Sequence, residues 1–216
     1  AAHYGIAIGD VDLPAYRVGL YYNSEVSGRQ ILEELCNGLG AYWYLNEVNA
    51  LVARQHKLPL TADVMIVGDD INYDRCRLTD TEPPWRRLTL RWGRNYSPLS
   101  NVAAVLDEEE PAEATRLRTE WRESRAEQDV SNYPLAERVT RDSVIQDETD
   151  AATERDRLLQ LRSERREIWS IETSLSYVSA GQVVSVQHRR LEGRLGRLLV
   201  VGRSPTRENS NLEVWV

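Results

Sequence analysis

A helical pattern of hydrophobic residues occupies the stretch from residue 24 to residue 40. Its apolar positions recur every three or four residues, at Ile31, Leu32, Leu35, Cys36 and Leu39. Side chains at this spacing share one face of an α-helix. We therefore predict an amphipathic helix here, with Ser27 as its N-cap and Gly38 or Gly40 at its C-terminal end.

Two apolar segments after this helix predict a β-hairpin. Ala41–Leu45 and Ala50–Arg54 flank the polar turn Asn46–Asn49, which is the arrangement expected of two paired strands. Together the helix and the hairpin predict a small N-terminal α+β unit over residues 1–60 that ends at Leu58-Pro59.

From residue 61 onward the hydrophobic pattern favours strands. Apolar runs or apolar–polar alternation occur at Val64–Val67, Leu88–Trp92, Trp169–Leu175, Val183–Val186, Leu198–Val201 and Leu212–Val216. One stretch, residues 147–163, is instead rich in Ala, Glu and Arg and predicts a second amphipathic helix. We therefore predict a second domain over residues 61–216 that is mostly antiparallel β with one helix, and an α+β fold class for the whole chain.

An acidic segment interrupts this second domain. Asp107–Glu110 is followed directly by Pro111, and a charge run closed by a proline is typical of a solvated loop. Residues 115–121 alternate between Thr or Leu and charged residues, which predicts a strand after the loop.

Charge and cysteine content narrow the possible partners and compartments. The net charge is −7, so non-specific adhesion to DNA, which depends on Lys and Arg neutralising phosphates, is not expected. Cys36 and Cys76 lack metal-type spacing and predict buried free thiols in a reducing interior. The chain begins Ala1-Ala2-His3 without an initiator Met or a signal-like profile, which we interpret as the start of a fragment.

The chain carries no recognisable catalytic or cofactor motif. His3, His56 and His188 are far apart and stand in no zinc-binding frame, and no serine has the GxSxG setting of a nucleophile elbow. Neither a GxxxxGK[ST] loop nor a GxGxxG turn is present. We therefore predict no catalytic, cofactor-binding or metal-binding residues, no cofactor, and no enzymatic activity.

Several polar or aromatic clusters have an ordinary structural interpretation and a functional alternative. The turn with Asp69, Asp70 and Asp74, or the acidic segment 107–110, could hold a cation, although polar turns and solvated loops often have such compositions. A basic group could contact phosphates or an acidic subunit, and consists of His188, Arg189, Arg190, Arg194 and Arg197. Core or interface packing is favoured over a sugar-stacking platform for the tryptophans, which are Trp43, Trp85, Trp92, Trp121, Trp169 and Trp215.

The order of short motifs along the chain resembles that of a known family. These motifs are Gln30–Leu35, Gly40–Trp43, Arg87–Leu90, Asn95-Tyr96, Asp150-Ala151, Leu158-Leu159, Arg166, Ala180–Val184 and Leu199–Gly202. In this order they resemble the tail hub, tail-tip or baseplate-hub proteins of tailed phages, prophages and gene-transfer agents. Asn95-Tyr96 is similar to that family's turn after a strand. The similarity covers most of the chain and transfers no catalytic residue.

The resemblance implies an architecture and an assembly. It implies a hub-type, β-barrel-like domain in a ring, usually trimeric, at the end of a tail tube, with other tail proteins as partners and transient passage of DNA. It also implies location in the virion tail, assembled in the host cytoplasm. The function expected is to organise the tail end and the DNA exit path; the alternatives are a receptor- or carbohydrate-binding module of the same particle and a tail-associated hydrolase.

Overall fold

The chain forms two compact units, each assembled from segments that are distant in sequence. The structure is a computed structural model that describes residues 6–46, 48–58, 61–175, 178, 181–191, 195–203 and 210–216. Unit 1 comprises Ala1–His56, Trp85–Ser131 and Ala136–Ser163, and unit 2 comprises Lys57–Pro84, Asn132–Leu135 and Glu164–Val216. The division predicted at residue 60 lies near the point where the chain first passes from unit 1 to unit 2, after His56. Residues 85–131 and 136–163, however, belong to the same unit as the N-terminal segment.

Within the described residues there are four helices and twelve strands. The helices are α1 (Gly28–Gly38), α2 (Ala104–Glu109), α3 (Pro111–Arg118) and α4 (Glu148–Leu161). The strands are β1 (Ile8–Asp12), β2 (Ala41–Leu45), β3 (Leu51–Gln55), β4 (Val64–Ile66), β5 (Arg77–Glu82), β6 (Trp85–Trp92), β7 (Arg122–Glu127), β8 (Glu137–Asp142), β9 (Arg166–Thr173), β10 (Val183–Val186), β11 (Leu195–Arg203) and β12 (Ser210–Trp215). None of these helices is long and apolar enough to cross a membrane.

The predicted N-terminal helix and hairpin are present. The Ser27 hydroxyl oxygen accepts a hydrogen bond from the backbone N–H of Gln30 and so caps α1. Gly40 follows the helix with a φ of +55°, the left-handed conformation that helix ends commonly require of a glycine. β2 and β3 pair antiparallel, and β1 adds to β3 in parallel, an edge strand that the sequence pattern did not predict.

Unit 1 is built on two three-stranded sheets and shares one core. One sheet has the order β1-β3-β2 and the other has the order β7-β6-β8. The core joins residues from both ends of the unit's sequence, which are Cys36, Leu39, Ala41, Ala53, Trp85, Leu88, Leu90, Trp92, Val144, Ile145, Ala151, Leu158 and Leu159. This shared core is the physical reason that residues 85–131 and 136–163 do not belong with the strands of unit 2.

Unit 2 is a six-stranded sheet with its own core. The strand order is β4-β10-β11-β12-β9-β5, and four of the five neighbouring pairs are antiparallel. Ile66, Ile171, Val184, Leu212 and Val214 are fully buried in it. The prediction of an α+β fold with mostly antiparallel sheets is confirmed, while the described strands form an open sheet with β4 and β5 at its ends and no closed barrel.

The acidic segment and the residues that follow it, up to residue 118, are mostly helical, contrary to the sequence-based expectation of a loop and a strand. Asp107–Glu109 belongs to α2, and Pro111 opens α3, where its missing N–H and fixed φ suit the first helical position. Residues 115–118, predicted as a strand, complete α3. Arg118 forms an ion pair with Asp107, so the charges that suggested a solvated loop instead join the two short helices.

The N-cap of α4 gives a testable contribution to stability. The Asp147 carboxylate accepts hydrogen bonds from the backbone N–H groups of Thr149 at 2.9 Å and Asp150 at 3.2 Å. Asp147→Ala is expected to lower the free energy of unfolding by about 1 kcal/mol in urea denaturation, because two helix-end donors lose their acceptor. Asp147→Asn keeps an acceptor and should lose much less; an equal loss in both variants would contradict the cap.

Candidate binding cavity

A cavity of about 590 Å³ lies within unit 1, where three loops meet the end of α3 and the start of β7. Its wall consists of Arg17–Leu20, Gly93–Tyr96, Arg116, Leu117, Arg122 and Gln146. Four of these residues are arginines, and no described Asp or Glu belongs to the wall. The cavity is therefore a concentrated positive region in a chain whose net charge is −7.

Backbone hydrogen bonds fix the three loops relative to one another. The segment before α4 is central: the carbonyl oxygen of Val144 accepts from Gly19 N–H at 2.8 Å, and that of Ile145 accepts from Gly93 N–H at 2.8 Å. The N–H of Gln146 donates to the carbonyl oxygen of Arg17, also at 2.8 Å. The cavity wall is thus held by paired main-chain groups and does not depend on side-chain contacts alone.

Asn95 and Tyr96 hold the opposite side of the wall. The Asn95 side chain donates from Nδ2 to the carbonyl oxygen of Leu117 at 3.1 Å, and its Oδ1 accepts from Ser97 N–H at 3.0 Å. The Tyr96 hydroxyl lies 3.4 Å from the carbonyl oxygen of Gly19. The two residues that carry part of the family resemblance therefore have a structural role at the cavity.

Two of the four arginines of the cavity stack on aromatic rings. The Arg94 guanidinium lies 4.8 Å from the ring centroid of Tyr96 and 5.1 Å from that of Trp121. The Arg122 guanidinium lies 5.0 Å from the Trp92 ring. These distances are in the range of cation–π contacts, so both cations have restricted positions before any ligand arrives.

Two of the four arginines share their charge with a carboxylate outside the wall. Arg94 pairs with Glu120 at 3.0 Å, and Arg116 pairs with Glu113. The hydrogen bond from Arg116 lowers the pKa of the Glu113 carboxyl. Arg17 and Arg122 form no ion pair within the part of the chain that the structure describes.

The acidic turns do not converge in the described residues. Asp69 and Asp70 lie in the 3₁₀ turn Gly68–Asp70, and Asp74 lies in the next turn, Tyr73–Arg75. No group of three or more His, Cys, Asp or Glu side chains that could hold a metal ion occurs among the residues described. Asp70 instead accepts, through its backbone carbonyl, a hydrogen bond from Ser174 N–H at 3.1 Å.

The basic group near the C-terminus is described only in part, and its histidine is buried. His188 is only 7% exposed, its ring lies 5.3 Å from that of Tyr73, and burial lowers its pKa. Arg189 and Arg190 are exposed next to it, and Arg197 lies on β11. Arg194 and His3 lie outside the described residues. His188 is therefore a core residue of unit 2 and not part of a phosphate-binding group.

Most tryptophans and the first cysteine are core residues, as the sequence favoured. Trp85, Trp92, Trp169 and Trp215 are each less than 9% exposed, so they cannot form a sugar-stacking platform. Trp43 and Trp121 are half-buried. Cys36 and Cys76 are free thiols, and burial raises the pKa of both.

A buried ion pair in unit 1 was not predicted from the sequence. The Glu154 side chain is 0% exposed, and its carboxylate accepts from Arg157 Nη2 at 2.6 Å, Arg157 Nε at 2.9 Å and Gln55 Nε2 at 3.0 Å. Burial outweighs these hydrogen bonds and raises the pKa of the carboxyl. One signal was available: Glu154 lies three residues after Ala151 and four before Leu158, on the apolar face of its helix.

No comparable signal marks the cavity. Arg17, Arg94, Arg116 and Arg122 come from four separate segments and stand in no motif. Only the folded loops bring them together.

The fold is similar to that of several solved tail proteins. Prophage tail protein gp18 from Listeria monocytogenes EGD-e superposes with a TM-score of 0.55 at 10% identity, over 99% of this chain and 60% of that chain. The prophage MuSo2 43 kDa tail protein from Shewanella oneidensis gives 0.53 at 10% identity, over 99% and 60%. A chain of the virion of a native gene transfer agent particle gives 0.54 at 13% identity, over 87% and 38%.

These similarities establish the fold. This chain spans about 60% of the length of the two prophage proteins and 38% of the gene-transfer-agent chain. No protein-family model matches the sequence, and no curated protein matches it. The resemblance to tail proteins is therefore confirmed at the level of the three-dimensional fold: the chain has the fold of phage and prophage tail proteins, while its described strands close no barrel.

Proposed function

We propose that the chain is a structural component of the tail of a phage, prophage or gene-transfer particle, located at the tail tip or baseplate hub. The observation that carries the proposal is the agreement of nearly the whole chain with several tail proteins: 99% of it superposes on each of two prophage tail proteins. In this role it organises the tail end and the DNA exit path, works without a cofactor or enzymatic activity, and resides in the virion after assembly in the host cytoplasm.

The exposed strand edges of unit 2 support contacts with neighbouring subunits. β4 and β5 are the outermost strands of the six-stranded sheet. Met65 on β4 is 64% exposed and Leu78 on β5 is 41% exposed. Free strand edges with exposed apolar side chains are suited to pairing with another chain. A ring needs two different patches on each subunit, and two distinct edges fit that requirement.

The surface charge is compatible with a DNA exit path. A net charge of −7 disfavours gripping of phosphates by the chain as a whole, so DNA could pass without being retained. Other tail proteins are the permanent partners in this proposal, and the homo-oligomer is a trimeric ring.

Deleting the coding region in a particle-producing strain tests the proposal. We expect particles with missing or abnormal tail ends in electron micrographs, and a gold-labelled tag on the complemented protein should appear at the end of the tail. A deletion strain that releases normal, DNA-delivering particles would contradict the structural role. A label distributed along the tube or on the capsid would contradict the tail-tip position while leaving a structural role intact.

A further inference from the structure

We propose that the arginine cavity of unit 1 is a binding site for the carboxylates of an acidic peptide segment supplied by another protein chain. The cavity is neither a strand edge nor part of the Glu154 network. If the chain is a tail component, the acidic segment belongs to another tail protein, but the chemistry of the site does not depend on that assignment.

The charge of the wall selects an anion. Arg17, Arg94, Arg116 and Arg122 line the cavity without a carboxylate among the wall residues described. Guanidinium groups match carboxylates and phosphates through paired N–H donors. Glu113 and Glu120 pair with two of these arginines, and Glu113 also interacts with the charge of Arg122. Asp150 accepts a hydrogen bond from the backbone N–H of Arg17. These carboxylates are fewer than the four guanidinium groups, so the cavity retains positive charge for a ligand to neutralise.

The donors are accessible and held in place. Arg17 is exposed, and the side chains of Arg94 and Arg116 are 36% and 47% exposed. Arg94 contacts the rings of Tyr96 and Trp121, and Arg122 lies over Trp92. Stacking on the rings already restricts the rotamers of these two arginines. Binding of a ligand therefore costs less side-chain conformational entropy.

The shape favours a peptide over nucleic acid. A duplex is recognised along a series of phosphates on a basic face, whereas these four arginines line one concave space of about 590 Å³. That volume is in the range of pockets that enclose small ligands and suits one or two acidic side chains.

Fluorescence anisotropy with three labelled probes tests the site. The probes are an eight-residue peptide with four glutamates, the same peptide with four glutamines, and an eight-nucleotide oligothymidylate. We expect saturable binding of the glutamate peptide, weakening with added salt, and at least tenfold weaker binding of the other two probes. No saturable binding of the glutamate peptide, or tighter binding of the oligothymidylate, would overturn the proposal.

Matched charge variants locate the binding. Arg17→Gln/Arg122→Gln is expected to weaken binding of the glutamate peptide at least tenfold. Arg29→Gln/Arg138→Gln changes the net charge equally at two exposed positions of unit 1 that do not line the cavity, and should retain binding. Equal loss in both double variants would show general charge attraction and overturn the site.

The double variant could lose binding because it unfolds, since Arg122 stacks on the buried ring of Trp92. A single variant at Arg17 avoids this problem. Trp92 is only 4% exposed, so circular dichroism must first show that the Arg122 variant is folded. Arg17→Glu alters one exposed residue and is expected to weaken binding by itself at least tenfold; unchanged binding in this folded variant would overturn the proposal. These solution measurements can fail or succeed independently of the particle experiment, so the two proposals are tested separately.

Discussion

Arg157→Ala is expected to lower the free energy of unfolding by about 3–5 kcal/mol, the cost of leaving a buried carboxylate without its counter-ion. Glu154 is 0% exposed and takes two charged hydrogen bonds from Arg157. Arg157 also donates to the backbone carbonyl oxygens of Gly40 and His56. Its removal therefore leaves the buried carboxylate without its counter-ion and takes one donor away from each of these two carbonyl groups. Urea denaturation followed by circular dichroism measures the loss.

The loss should depend on pH in a defined direction. The charge and hydrogen bonds of Arg157 lower the pKa of the Glu154 carboxyl, so its removal raises that pKa further above the unfolded value. A group whose pKa is raised by folding contributes stability below its unfolded pKa and loses it as pH rises through the folded pKa. Arg157→Ala should therefore be more destabilised at pH 8 than at pH 5.

Two further variants separate the ion pair from general effects of mutation. Arg29→Ala removes an arginine from an exposed pair with Glu33 on α1 and is expected to leave the free energy of unfolding nearly unchanged. Glu154→Leu/Arg157→Leu replaces the pair with apolar groups and should recover much of the loss. A double variant as unstable as Arg157→Ala would show that the uncompensated charge is not the cause.

The elements that sequence reasoning predicted correctly are those with a clear apolar period. α1, the β2–β3 hairpin and the apolar strands β9, β10 and β12 all follow the expected pattern, while α4 was predicted from its composition rich in Ala, Glu and Arg. In an element with such a period, one side packs against a core, so apolar residues recur at the spacing of a helix or a strand and identify the buried face. Ser27 could be predicted as the N-cap for the same local reason, and of the two glycines predicted for the helix end, Gly38 lies within α1 and Gly40 follows it.

The charged strands could not be predicted in this way. β7 is Arg-Glu-Ser-Arg-Ala-Glu and β8 is Glu-Arg-Val-Thr-Arg-Asp, with few apolar residues to set a period. They flank the apolar strand β6, and cross-strand pairs hold them: Arg87 with Glu127 at 3.2 Å, and Arg91 with Asp142. Such pairing is non-local and appears only once the strands are aligned.

The same limit applies to the units and to the cavity. Periodicity describes each element by itself, so it did not show that Leu88 and Leu158 share a core with Cys36. The arginines of the cavity are brought together by bonds among residues 17–19, 93 and 144–146, which are distant in sequence. The residues of such a site have no fixed spacing in the sequence. The site can therefore be recognised only once the fold is known.

Gly40→Ala is expected to lower the free energy of unfolding by about 2–5 kcal/mol, since backbone strain and crowding both act. Gly40 has a φ of +55°, a conformation that costs an alanine more than a glycine. A Cβ there would lie 2.5 Å from Arg157 Nη2, 2.6 Å from Glu154 Oε1 and 2.8 Å from Leu158 Cδ2. The first two atoms are held by the buried ion pair and cannot move freely.

Gly93→Ala is the matched control for the backbone contribution. Gly93 has a φ of +58°, but its Cβ would meet only the Arg122 side chain, at an ordinary 3.4 Å. We expect a loss of about 1–2 kcal/mol from the left-handed conformation alone. Equal losses at the two glycines would mean that the ion pair tolerates the extra methyl group.

The coupling between Gly40 and Arg157 then distinguishes crowding from strain. In an Arg157→Ala background the atom closest to the new Cβ is absent, whereas the φ of residue 40 is unchanged. Gly40→Ala should therefore cost at least about 1 kcal/mol less there than in the parent chain, since residues in direct contact are not additive. Additive losses would assign the whole effect to the backbone, and the close fit of Gly40 against the buried pair would have no energetic consequence.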